Sequence, residues 1–233
     1  MIFINHKMAG IALLTLSLML SCTFLGAQEI AEPNYGLKNP GTIELIRVRI
    51  TATQTLVDMS IQNELKDGYF CIDEDTFLER GNELEMRLKE VVGLPVCPER
   101  YEFRSVGEKV YFTLVFDKLP AGVRWFDIIE YCDVNCFSVL AVNLDEEINQ
   151  KINSAFNAMD RMEAERAINI FRDILPSLQS SQHGLTGSVY LNLVELLAAN
   201  NMADELQQII SQFKSSPMPR KEAYLAILRS MGY

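Results

Sequence analysis

Hydrophobic and polar positions alternate with a period of two over much of the chain from residue 43 to residue 144. The alternation is clearest in residues 46–50, 57–61 and 110–116. Half-buried antiparallel strands produce this pattern. Residues 117–122 contain a proline and a glycine that turn the chain, and residues 124–130 and 137–144 have the composition of two further strands. The pattern predicts an antiparallel β-sandwich-like domain over residues 43–144.

The hydrophobic period changes to 3.6 at Asp145. Ile148, Ile152, Phe156 and Met159 then fall on one helical face, and Asp145 is suited to cap the first helix. Further helices are predicted near residues 163–178, 189–200, 203–213 and 220–231. The chain therefore has an expected α+β fold, in which an all-α domain of helical hairpins, residues 145–233, follows the β domain.

This helical tail repeats part of its own sequence. Residues 190–197 (YLNLVELL) align with residues 224–231 (YLAILRSM) at an offset of 34, which is the tetratricopeptide period. The spacing of Ala167, Ile168 and Phe171 also resembles the second helix of a tetratricopeptide repeat. Phe171 and Phe213 are 42 residues apart, however, so helical hairpins of another kind remain an alternative.

The first 27 residues have the composition of a signal peptide. A weakly basic start is followed by fourteen apolar or small residues, 8–21, which is too short to span a membrane. Cleavage after Ala27 is the expected processing. The alternative takes residues 19–22 as a lipobox, with Cys22 cut and acylated. Residues 28–42 have no periodicity and are predicted to form a tether.

Export changes how the remaining cysteines are interpreted. In an oxidising compartment, Cys71, Cys97, Cys132 and Cys136 indicate two disulfides with three possible connectivities. Residues 133–135 include Asp and Asn, which favour a turn that would bring Cys132 close to Cys136. We therefore predict Cys132–Cys136 and Cys71–Cys97. Zinc binding is disfavoured because only one pair of cysteines is closely spaced.

The charge of the chain excludes one class of partner. The formal charge is −10, and residues 1–27 contain one lysine and no acid, so signal removal makes the chain more negative. Such a surface repels phosphate backbones, and no nucleic acid is expected to bind. It also has no polybasic patch for anionic lipid, so membrane association is expected only if Cys22 is lipidated.

The β domain resembles a small domain of exported Bacteroidota proteins whose function is mostly unassigned. The resemblance rests on residues 107–116 (GEKVYFTLVF), the LPAG turn at 119–122, and residues 126–130 (FDIIE) with the strand from Phe137. It implies the fold and no particular activity. The segment 132–136 departs from that pattern and implies a locally stapled turn.

Few residues are candidates for chemistry. His183 is the only histidine after residue 27. It lies in a polar stretch of sequence, so we expect it to be a solvated loop residue. The acidic run Asp73–Asp75 has no calcium-loop spacing and is expected to be a solvated edge. Trp125 and Tyr131 could form a ligand platform, although a lone tryptophan on a strand more often packs into a core.

Three functions remain open on these grounds. The first is an exported, non-catalytic binding or scaffolding protein of the cell envelope that contacts a protein partner through the helical tail. The second is a carbohydrate- or small-ligand-binding accessory protein, which requires an exposed aromatic row around Trp125. The third is an exported enzyme with a carboxylate site. We expect the first, with no catalytic residues, cofactor or metal.

Overall fold

The computed structural model describes residues 28–133 and 135–233, and within them twelve strands precede five helices. The strands are β1 Gln28–Ala31, β2 Leu37–Asn39, β3 Ile43–Ile50, β4 Gln54–Gln62, β5 Tyr69–Phe70, β6 Thr76–Arg80, β7 Leu84–Arg87, β8 Glu90–Val92, β9 Tyr101–Glu102, β10 Lys109–Asp117, β11 Trp125–Glu130 and β12 Ser138–Asn143. The helices are α1 Glu146–Asp160, α2 Ala164–Ser180, α3 Thr186–Ala199, α4 Ala203–Ser215 and α5 Lys221–Ser230. The predicted α+β arrangement is confirmed. The predicted signal peptide, residues 1–27, and Cys22 lie outside the described residues.

Ten of the described strands form two antiparallel sheets. The first sheet has the order β1-β3-β4-β10-β8, and the second has the order β2-β12-β11-β6-β7. Strands β5 and β9 form a separate short ribbon. The alternation seen in the sequence places the apolar positions of both sheets toward one another, and these side chains make up the first core.

A second core lies between the second sheet and the helices. Trp125 of β11 and Ala141 of β12 belong to this helical core rather than to the core between the sheets. The molecule therefore has three layers, in which the second sheet is covered on both faces. None of the five helices is long and apolar enough to cross a bilayer.

The predicted tether over residues 28–42 is wrong. Strand β1 pairs with β3 in the first sheet, and β2 pairs with β12 in the second, so this segment crosses from one sheet to the other. Each strand is short, and its partner is supplied by a strand that comes later in the chain. Local sequence therefore gave no periodic signal for either strand.

A β-bulge in the second sheet lies beside the start of the last helix. The register of β11 and β12 shifts between Phe126 and Ile128, and Ala141 takes a positive φ of 59°. Its N–H donates to the carboxylate of Asp127 at 2.7 Å, and the other carboxylate oxygen accepts from Nε of Arg220 at 2.7 Å. Arg220, which directly precedes α5, also reaches Glu79 at 3.1 Å. One carboxylate thus fixes both the bulge and the start of the last helix.

Tyr224 of α5 fills a slot made by two glycines, Gly36 and Gly187. A Cβ at Gly36 would lie 1.9 Å from its hydroxyl oxygen, and a Cβ at Gly187 would lie 2.3 Å from its ring. The hydroxyl donates to the carbonyl of Gly184 at 3.1 Å, so the buried polar group is satisfied. Helix α5 is therefore held against α3 and β2 at a distance that only glycine allows.

Two disulfides tie the loops of the β domain, and they are the two pairings favoured from the sequence. Cys71 bonds Cys97, and Cys132 bonds Cys136. Glu130 connects the segments that carry them, since its carboxylate accepts the N–H of Asp73 at 2.8 Å and that of Phe137 at 3.0 Å. Burial raises the pKa of Glu130 above its ordinary value, and the two backbone N–H groups that donate to the carboxylate offset this only in part.

We expect Arg220→Met to lower the free energy of unfolding by about 3 kcal/mol, because it leaves the carboxylate of Asp127 buried without its cation. Asp127 is 1% exposed. Urea denaturation of the two proteins measures the difference. The matched control is Arg166→Met, whose ion pair with Glu163 is exposed and should contribute less than about 1 kcal/mol. Equal losses in the two variants would contradict the assignment.

The two disulfides should differ in what they contribute. Cys71–Cys97 closes a segment of 26 residues and Cys132–Cys136 one of 4. The chain-entropy relation gives about 3.5 kcal/mol for the longer loop and about 2 kcal/mol for the shorter. Replacing both cysteines of each pair by serine should therefore lower the melting temperature more for the first pair. The reverse order would show that local strain, not loop length, decides the effect.

Candidate functional site

The segment 32–36 crosses between the sheets and forms one wall of a cleft. Its backbone is held on both sides: Glu32 N–H donates to Ile46 at 2.8 Å, and Gly36 N–H donates to Leu140 at 2.7 Å. Between these two bonds, the carbonyl of Asn34 accepts from Asn143 at 2.8 Å. The segment is thus an irregular connection held at both ends, with bends at Glu32 and Gly36, in which Asn34 faces α1 and Tyr35 packs against the core between the sheets.

Helix α1 binds this segment through two asparagines one turn apart. The side-chain oxygen of Asn149 accepts from the backbone N–H of Asn34 at 2.9 Å and from its amide group at 3.1 Å. The same amide group donates to the side chain of Asn153 at 3.0 Å. Asn149 and Asn153 share one face because residues four apart are neighbours on a helix. The face therefore recognises both a backbone group and a side chain.

The cleft continues beyond Asn34 between α1 and α3. Phe156 extends the α1 face by another turn, and its ring meets Phe171 edge-on at 5.8 Å. On α3 the corresponding positions are Ser188 and Asn192, four residues apart, and the Asn192 amide group donates to the Ser188 carbonyl at 2.8 Å. The side-chain oxygen of Asn192 accepts no hydrogen bond from the described residues, so it is available as an acceptor.

Strands of the first sheet close the cleft on the other side. Residues 44–46 of β3 and Lys109 of β10 line it, and its volume is about 720 Å³. Glu44 is paired with Lys38 at 2.6 Å. We call this site the amide cleft, defined by residues 32–36, Asn153, Phe156, Ser188, Asn192 and Lys109. Amide groups both donate and accept, and the cleft combines them with one exposed aromatic ring, which is suited to holding an extended peptide.

No family model, curated protein or solved structure matches this chain.

Its function must therefore be inferred from the geometry of its own residues. The titratable groups among those lining the amide cleft are two glutamates, Lys109 and one tyrosine. No cluster of three or more His, Cys, Asp or Glu side chains within residues 28–133 and 135–233 could hold a metal ion. The acidic run Asp73–Asp75 does not form a strand, and Asp75 pairs with Arg87 at the surface at 2.7 Å.

The prediction that His183 is a solvated loop residue is wrong. It is 1% exposed and lies against Trp125, with ring centroids 5.9 Å apart. Its Nδ1 accepts the N–H of Leu185 at 3.2 Å, so the neutral ring carries its proton on Nε2, which has no hydrogen-bond partner in the described part of the chain. Burial, with a further effect of Arg124, lowers the pKa of His183 to about 4.

The possible ligand platform at Trp125 and Tyr131 does not form, and Trp125 packs into a core, the alternative that the sequence favoured. Trp125 is 6% exposed and packs toward the helices, where Gly184 approaches its ring. Tyr131 is 52% exposed and stands elsewhere, edge-on to Phe77 at 5.8 Å, with its hydroxyl donating to Glu79 at 2.6 Å. The row of exposed aromatics that a carbohydrate platform requires is therefore missing at Trp125.

Sequence reasoning missed the asparagines of the amide cleft. Asn34 and Asn149 are 115 residues apart, and no local pattern connects them. One signal was available: Asn149 and Asn153 repeat at a spacing of four beside the apolar stripe of α1. An amide side chain at the edge of an apolar stripe is partly buried and needs a hydrogen-bond partner. The two asparagines could therefore have predicted that this face of α1 contacts another segment.

The buried imidazole should make stability depend on pH. Because the pKa is about 4 in the folded chain and about 6.5 when unfolded, the unfolded state binds more protons between these values. The contribution of neutral His183 to the free energy of unfolding is therefore fully present above about pH 6.5, and it is lost as the pH falls toward 4. Between pH 7 and pH 5 the wild type should lose about 2 kcal/mol more than His183→Asn.

Urea denaturation of both proteins at the two pH values measures this difference. Asparagine keeps an acceptor for the N–H of Leu185 but does not titrate, and the carboxylates that also respond to pH are common to both chains. An equal loss of stability in wild type and variant would show that His183 titrates normally.

Proposed function

We propose that this protein is an exported, non-catalytic binding protein that holds an extended segment of another polypeptide in the amide cleft. The observation that carries the proposal is that one wall of the cleft is itself a non-helical segment of chain, residues 32–36, held by amide side chains. Asn149 and Asn153 bind Asn34 there through a backbone N–H and a side-chain amide. The side-chain amides that hold this non-helical segment are suited to hold a second segment, in extended conformation, alongside it.

The unoccupied part of the cleft offers what such a segment needs. Asn192 has an acceptor free of partners among the described residues, and Ser188 and Lys109 line the same space. Three aromatic side chains line the cleft, Tyr35, Phe156 and Phe171, and of these Phe156 is the exposed one. Peptide groups require donors and acceptors in alternation, and amide side chains supply both from one residue.

Export is part of the same proposal. Residues 1–27 have the composition expected of a signal peptide, and the two disulfides suit an oxidising compartment. The partner is accordingly a protein of the cell envelope. The cleft would select this partner by the side chains that the partner places beside Phe156. The helical tail would act as the binding face and the β-sandwich as the body that holds it.

Selection from a phage-displayed library of twelve-residue peptides tests the proposal directly. We expect peptides that bind the wild type, and the double variant Asn153→Ala/Asn192→Ala should weaken them by roughly ten-fold, the loss of one or two hydrogen bonds. Isothermal titration calorimetry of the selected peptides provides the dissociation constants.

The matched control is Asn157→Ala/Glu195→Ala, which changes exposed residues on the same two helices outside the cleft. It should bind the peptides as the wild type does. The proposal fails if no peptide is enriched, or if the selected peptides bind both double variants with equal affinity.

A further inference from the structure

A second cleft lies where three loops meet on the helical side of the second sheet. The β6–β7 turn, the α2–α3 loop and the α4–α5 loop surround it, and its volume is about 620 Å³. It shares no lining residue with the amide cleft. Small-molecule sites commonly occupy about 300–1,000 Å³ and lie where structural units meet, as this cleft does. We call it the loop cleft.

One part of the loop cleft is apolar. Trp125 lines it, and His183 behind the indole and Gly184 against its ring keep the indole in place. Pro217, Met218 and Pro219 line it from the α4–α5 loop. Proline fixes the backbone of that loop, and the methionine side chain adapts its shape to what it touches. This part of the cleft is suited to a flat hydrocarbon body.

The other part of the loop cleft is cationic, on a chain whose formal charge is −10. Arg80 and Lys221 both line it, against the single carboxylate of Glu83, which lies 2.7 Å from Arg80. The ammonium group of Lys221 donates to the carbonyl of Lys214 at 2.8 Å and has further N–H groups to offer. Two cations against one acid favour an anion.

Arg80 also has a donor without an acceptor. Its Nε is buried and makes no hydrogen bond to any described residue. Leaving a buried donor unpaired costs free energy, so a shift of the guanidinium group that lets an oxyanion in the cleft reach Nε would remove that cost. Charge-assisted bonds from guanidinium to carboxylate or sulfonate are among the strongest that a side chain makes.

We propose that the loop cleft binds a small organic anion with a flat apolar body. Arg80 and Lys221 hold the oxyanion, and Trp125, Met218 and the two prolines hold the body. This site is separate from the amide cleft, so the protein has one surface for a polypeptide and another for a small molecule.

The chain offers its own reporter for the test, because Trp125 is its only tryptophan. The probe is anilinonaphthalene sulfonate, a flat aromatic anion, and the uncharged comparison is N-phenylnaphthylamine. We expect saturable binding of one sulfonate per chain with quenching of Trp125 fluorescence, and clearly weaker binding of the uncharged probe.

Three variants separate the parts of the site. Lys221→Ala and Met218→Glu should each weaken binding of the sulfonate by roughly five-fold or more. Glu83→Gln should strengthen binding, because it frees Arg80 from its carboxylate. Lys214→Ala is the matched control, since its exposed side chain lies outside the cleft and only its backbone carbonyl contacts Lys221.

The circular dichroism spectrum and the melting temperature of each variant show whether it keeps the fold. The proposal is overturned if the sulfonate does not bind, if both probes bind equally well, or if Lys221→Ala and Met218→Glu bind it as Lys214→Ala does. Peptide binding in the amide cleft should be unchanged in all four variants, so this proposal and the proposed function can fail independently.

Discussion

The buried carboxylate of Asp127 is the constraint on which the arrangement of the layers depends. It lies between the second sheet and the helices, where an unpaired charge would cost several kcal/mol. The sheet satisfies one oxygen with the N–H of Ala141, and Arg220 satisfies the other. Because Arg220 stands at the start of α5, neutralising the charge also fixes where the helical part sits. Both clefts lie where the helical part meets the strands or their loops. The position of the helical part, which this ion pair helps to fix, therefore determines the shape of both clefts.

Much of the architecture could be predicted from local pattern. The period of two up to residue 144 and the cap at Asp145 predicted the strands and the start of α1, and the side chain of Asp145 does accept from Ile148. The predicted ends of α2 to α5 lie within two residues of the observed ends, although α1, α2 and α3 are each followed by a residue with positive φ that is not glycine: Met162, Gln182 and Asn201. The usual signal for a helix end was therefore absent from the sequence.

Contacts between distant residues account for the rest. Strand β2 and the segment 32–36 looked like a tether because their partners come from β12 and α1, about a hundred residues later. His183 looked solvated because the ring that buries it, Trp125, belongs to a strand. The amide cleft could not be assembled from sequence for the same reason: its walls come from the first strands, from β10 and from three helices.

The long reach of these contacts has a consequence for the order of folding. Asn34 is bonded to Asn149, 115 residues further along the chain, and Glu79 is bonded to Arg220, 141 residues further along. Such contacts have a high contact order, and closing long loops before they form slows folding. When the chain is made from its N-terminus, β1 can pair with β3 early, but β2 has no partner until β12 has been made, and Asn34 has no side-chain partner until α1 has been made. During that interval its exposed strand edges are the part most open to proteases and to wrong pairing with other chains.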